Sequence, residues 1–89
     1  MAKEESIKRQ LLQIGARLKA LRKAKGYSNY EQFAFQNKIG RAQYGRYEKG
    51  DNLQVDTLLR LLAALEVTPA EFFSEGFEEE EWIWHLLKK

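Results

Sequence analysis

Cysteine is absent from this 89-residue chain, which excludes a disulfide framework, a thiolate zinc site, an iron–sulfur cluster and a cysteine nucleophile. Histidine occurs once, at His85, too little for an imidazole cage around a metal. No run of about 18 apolar residues exists, so no membrane-spanning helix is expected. The segment from Met1 to Ser6 is charged but has no short apolar block behind it, unlike a secretory signal. The expected location is the cytoplasm. Alternation with period two is nowhere sustained, so no sheet is expected. Internal repeats and flexible Gly/Ser linkers are also missing. Gly40 to Gly45 is followed by Arg46-Tyr47 rather than Lys-Ser/Thr, so no phosphate-binding P-loop is present. The acidic run Glu78 to Glu81 reads as a solvated helix start. With no pocket signature around any pair of carboxylates, neither catalysis nor a cofactor is expected.

Charge is present in quantity but unevenly placed. The net charge is +2, yet residues 1–50 carry twelve Lys and Arg against four Glu, a balance of +8. Residues 51–89 carry three Lys and Arg against nine Asp and Glu, a balance of −6. Such a split points to a first half that meets a polyanion. The plainer account is that helix faces happen to be basic early and acidic late.

The apolar residues follow helical periods. Ile7, Leu11, Ile14, Leu18 and Leu21 recur at spacings of four and three, which predicts a helix from about residue 4 to Lys25, closed by Gly26. Asn29 with Gln32 three residues on is a capping pattern for a short helix over 30–37, with Phe33 and Ala34 inward. Gly40 interrupts the chain, and 41–49 reads as a third helix ended by Gly50. Leu58, Leu61, Leu62 and Leu65 define a fourth over about 55–66. Thr68-Pro69-Ala70-Glu71 combines a cap, a proline at the first helical position and a glutamate three after the cap, which starts a fifth. Gly76 is the expected stop. Acid at Glu78 to Glu81 and base at Lys88-Lys89 suit a sixth helix over about 78–88.

Two short helices joined by a few residues, then a turn and a Leu-rich helix, make a helix-turn-helix pattern. The stretch from Leu18 to Phe73 resembles the phage-repressor (Xre/Cro-like) helix-turn-helix family. The resemblance rests on Leu18-x-x-Leu21-Arg22-x-x-Lys25-Gly26, Phe33-Ala34, Ile39-Gly40-Arg41 and Tyr47-Glu48-Lys49-Gly50. It continues through Leu58-Leu59-x-Leu61-Leu62-x-Ala64-Leu65-x-Val67 into Glu71-Phe72-Phe73. Gly26 to Phe33 is one residue longer than the common pattern. Asn37 and Lys38 stand where the family usually has an apolar residue and a turn glycine, and Gly40 replaces the usual Ser or Thr cap. The implied architecture is all-α, a five-helix domain over 18–73. It is preceded by the first part of the N-terminal helix (1–17) and followed by an acidic, Trp-bearing helical extension (74–89).

In such a fold the second helix of the motif enters the DNA major groove. By helical spacing Arg41, Ala42, Gly45, Arg46 and Lys49 share the side opposite Tyr44 and Tyr47, and Gln43 borders it. Arg41, Ala42, Gln43, Gly45 and Arg46 are therefore the candidate base readers, and an arginine reads guanine O6 and N7 bidentately. The resemblance places usual base readers at Arg41 and Ala42. The alternative for Arg41 and Arg46 is contact with phosphate alone. Asn29, Tyr30, Lys38, Lys49 and Asn52 are the candidate phosphate contacts. Resemblance also implies a structural ion pair between Arg22 and Glu48.

The expected function is sequence-specific binding of double-stranded DNA by a small transcriptional regulator of repressor type. The competing class is a protein-interaction module, such as an antitoxin-like subunit with a protein partner. One recognition helix spans few base pairs, so a homodimer is expected, with Leu65, Val67, Phe77, Trp82 and Leu86 as candidate contacts. The alternative for the Trp-bearing helix is packing onto the monomer.

Overall fold

The computed structural model describes residues 2–77, and among these five helices and no strand occur. They are α1 (Ala2–Ala24), α2 (Tyr30–Gln36), α3 (Arg41–Glu48), α4 (Val55–Leu65) and α5 (Pro69–Phe72). The sixth helix expected over 78–88, with Trp82 and Leu86, lies outside the described residues.

The core gathers one face from each helix. Leu18 of α1, Phe33 and Ala34 of α2, Tyr44 of α3, Leu61 and Leu62 of α4 and Phe72 of α5 are essentially inaccessible. Burying each leucine and phenylalanine among them contributes about 1.5–3 kcal/mol. Phe33 sits centrally, with Tyr27 edge-on at 5.2 Å and Tyr44 at 5.1 Å between ring centroids. The predicted stripe on α1 holds at Leu18, with Ile14 and Leu21 packed against the core, but Ile7 is exposed.

Gly15 decides how closely α1 and α3 approach. A Cβ there would lie 2.6 Å from the carbonyl oxygens of both Tyr47 and Glu48. Only a residue without a side chain admits that spacing.

Four helices end in one motif, a left-handed residue that turns the next N–H back onto the helix. At α1 this residue is Gly26 and at α3 Gly50, with φ of +106 and +103°. At α2 and α4 it is Lys38 and Glu66, with φ of 58 and 59°. The following N–H groups of Tyr27, Ile39, Asp51 and Val67 donate to the carbonyls of Arg22, Ala34, Arg46 and Leu62. Lys38 therefore occupies the position where the family's turn glycine is expected, in a conformation that costs a side-chain-bearing residue roughly 1–2 kcal/mol.

α5 carries the predicted cap in full. The Thr68 hydroxyl accepts from Glu71 N at 3.1 Å, and the Glu71 carboxylate accepts from Thr68 N at 3.0 Å. As expected α5 is short, ending at Phe72 with Phe73 as its C-cap. Arg17 of α1 donates through Nε to the Phe72 carbonyl and through Nη2 to that of Glu71, both at 2.8 Å. A guanidinium thus satisfies the end of α5 from across the molecule.

Candidate nucleic-acid interface

α3 has a buried side and an exposed side, and the sequence explains both. Tyr44 and Tyr47 recur at a spacing of three and turn into the core. Arg41, Ala42, Arg46 and Lys49 are exposed on the other side, with Gln43 half-buried at its edge. Gly40 caps the helix without a side-chain bond, leaving the first turn open.

Gly45 departs from its expected place on that exposed side. It is buried, and a Cβ there would lie 2.7 Å from Cε1 of the Tyr30 ring. The glycine makes room for α2 to cross α3, so its role is packing between the two helices rather than base reading. The reason is the angle between them: Tyr30, at the start of α2, lies over the middle of α3, which no helical wheel of α3 alone reveals.

Behind the exposed side stands an ion pair. Arg22 donates to Glu48 Oε2 through Nε at 2.7 Å and to Oε1 through Nη2 at 3.0 Å, and its Nη1 donates to the Tyr27 carbonyl at 2.7 Å. Both side chains are buried, 3% and 8% exposed. The hydrogen bond to Glu48 holds the Arg22 guanidinium more strongly protonated than usual, against the effect of burial. The pair ties the end of α1 to the end of α3, as the resemblance implied. Arg22 is thereby engaged within the protein.

The candidate phosphate contacts fall into two groups. Asn29 is the N-cap of α2, its side-chain oxygen accepting from Glu31 N at 2.7 Å and Gln32 N at 3.3 Å. Its amide nitrogen remains for a ligand, and the Tyr30 ring is partly exposed beside it. Lys19 and Lys23 of α1 join Ser28, Asn29 and Tyr30 around one shallow depression. These two lysines escaped sequence reasoning. Their signal was present, as cations four apart on the helix that Gly26 turns into the motif. The second group is Lys38 in the turn, Lys49 after α3 and Asn52 in the next loop, all exposed.

Two of the candidate dimer contacts lie outside the described residues, Trp82 and Leu86. Leu65 is a core residue, 5% exposed, and is unavailable for a contact between copies. The left-handed turn at Glu66 folds Val67 back against the same core. Phe77 is partly buried too, its ring 5.9 Å from Phe72 and 5.0 Å from Phe73.

A helix held by buried tyrosines, its free side cationic and its partner helix crossing behind it, defines a DNA-reading helix-turn-helix protein. The comparisons agree with that class. Residues 18–72 match the family model described as helix-turn-helix. The high-resolution crystal structure of the restriction-modification controller protein C.AhdI from Aeromonas hydrophila is similar. It is 37% identical, with 72% of this chain and 97% of that chain covered and a TM-score of 0.65. A comparison with curated proteins gives no match. The chain belongs to the helix-turn-helix family. It is a DNA-binding regulator of transcription.

Proposed function

We propose that the protein binds specific duplex sequences with α3 in the major groove and represses transcription from the sites it covers. The observation that carries this reading is the two-sided build of α3: Tyr44 and Tyr47 anchor it, leaving Arg41, Ala42 and Arg46 exposed on the side that would face base edges. Asn29 and Tyr30 in one group and Lys38, Lys49 and Asn52 in the other fix the register through phosphates, which position without reading sequence. The role is binding rather than catalysis, exercised in the cytoplasm. Likeness to a restriction-modification controller protein supports control of such genes as the setting.

Binding as a two-fold pair on inverted half-sites, with recognition helices about 34 Å apart, would supply the discrimination that one short helix lacks. Sedimentation of the full chain with and without a palindromic duplex tests the pairing. A chain that stays monomeric at high concentration and binds single copies without cooperativity excludes it.

A salt series tests DNA binding itself. Log K should fall steeply with log salt through counterion release. Arg41→Ala should lower affinity and relax preference at one base position. Lys49→Ala should weaken all duplexes alike and reduce the salt slope by about one. A flat salt dependence would remove the reading.

A further inference from the structure

The carboxylate of Asp51 stands where two physical rules disfavour it. It follows the C-terminus of α3, the negative end of a helix dipole. It also borders a cationic face that meets phosphate. The backbone nevertheless aims it at Arg46. Gly50 adopts the left-handed conformation, so that Gly50 N donates to the Tyr47 carbonyl and Asp51 N to the Arg46 carbonyl, each at 3.1 Å. This helix ending brings the side chains of Arg46 and Asp51 together, a pairing that is usually apolar. At the ends of α2 and α4 it is apolar here as well, Ala34 with Ile39 and Leu62 with Val67. At α3 it is Arg46 Nε and Asp51 Oδ2, 3.6 Å apart and about half exposed. On the other side Gln43 Oε1 accepts from Arg46 Nη2. One Nη2 hydrogen of the guanidinium is bonded to Gln43, and its Nε side faces the Asp51 carboxylate as an ion pair. Its end, with Nη1 and the second Nη2 hydrogen, is left for a bidentate acceptor such as guanine O6 and N7.

We propose that Asp51 is a positioning residue which, with Gln43, presents Arg46 as a guanine-reading fork. The proposal rests on the reading of α3 as the DNA-contacting helix. An acidic residue at this place otherwise weakens both the helix end and the approach of phosphate. Fixing the arginine before binding offsets that by removing rotamer freedom that would otherwise be lost in the complex.

Binding sites selected from a random duplex pool, followed by titration, test this with the full chain, Asp51→Asn, Asp51→Ala and Arg46→Ala. The parent chain is expected to prefer a G·C pair at the position Arg46 reads. All three variants should relax that position, with the selected site losing about five- to tenfold against a scrambled duplex. Affinity of the two Asp51 variants for the scrambled duplex should stay level or rise, because a negative charge is gone. Their melting temperatures should match or exceed the parent's, since an acid leaves a helix C-terminus, so lost preference is not unfolding. If both Asp51 variants keep the parent's preference and bind every duplex more tightly, Asp51 only screens a phosphate contact and the proposal is overturned. A parent chain that binds no duplex from the pool overturns the reading of α3 and this proposal with it. A chain that selects a site indifferently to Asp51 overturns the positioning role alone.

Discussion

Arg22 and Glu48, twenty-six residues apart in sequence, meet in a buried two-pronged pair at 2.7 and 3.0 Å that fastens α1 to α3. Removing one partner leaves an uncompensated buried charge. Arg22→Ala or Glu48→Ala should therefore destabilise by about 3–5 kcal/mol in denaturant unfolding. Replacing both with apolar residues, Arg22→Met with Glu48→Leu, should recover most of that loss. A double variant as unstable as the sum of the singles would contradict this account.

The Tyr44 hydroxyl lies beside this pair, buried and without a hydrogen-bond partner among the described residues. Burial first, then the nearby Glu48 carboxylate, raises its phenol well above the ordinary value of 10.0. The native state thus keeps the proton that the unfolded chain releases above about pH 10. Stability should be flat with respect to this group below pH 10 and fall as pH rises beyond it, by up to about 1.4 kcal/mol per pH unit. Tyr44→Phe should abolish that part of the alkaline loss while leaving neutral-pH stability unchanged or slightly higher. Thermal melts across an alkaline series read both effects.

Gly15→Ala and Gly45→Ala replace glycine by the best helix former, yet both should destabilise. At Gly15 the new methyl meets backbone carbonyls that have no room to give, and overpacking of this kind costs about 1–3 kcal/mol. At Gly45 its three nearest neighbours all belong to the Tyr30 side chain, at 2.7 to 3.3 Å. In a Tyr30→Ala background Gly45→Ala should become stabilising by about 1 kcal/mol, the ordinary helix preference. Unchanged destabilisation in that background would place the obstacle elsewhere.

Lys38→Gly should separate stability from binding. Glycine relieves the left-handed conformation at φ 58° and should raise stability by about 1 kcal/mol. The same change removes a cation from the turn, so affinity for every duplex should drop and the salt slope fall by about one. A variant that binds as tightly as the parent, with the same slope, would take Lys38 off the phosphate contacts.

The helices, their order and most of their ends were legible in the sequence because they are local. The apolar period of α1 and α4, the Thr68 to Glu71 cap and the glycines after α1 and α3 act within a turn or two of themselves. The exposed cations of α3 were legible too, since the tyrosine spacing alone orients that helix. Tertiary structure decided what depends on one helix meeting another. Gly45 read as part of the base-reading side, and nothing in the sequence marks Gly15, until the Tyr30 ring and α3 come within 3 Å of where their Cβ atoms would be. Nothing in the sequence marks Arg17 for the last carbonyls of α5, which the fold brings to it. Leu65 and Val67 read as contacts between copies until the apolar face of α4 packed Leu65 into the core and the left-handed turn at Glu66 folded Val67 against it. A period in sequence specifies which residues share a face, because helix geometry is fixed by local bonds. What that face touches depends on crossing angles and distances between elements, and these are set only when the whole core packs.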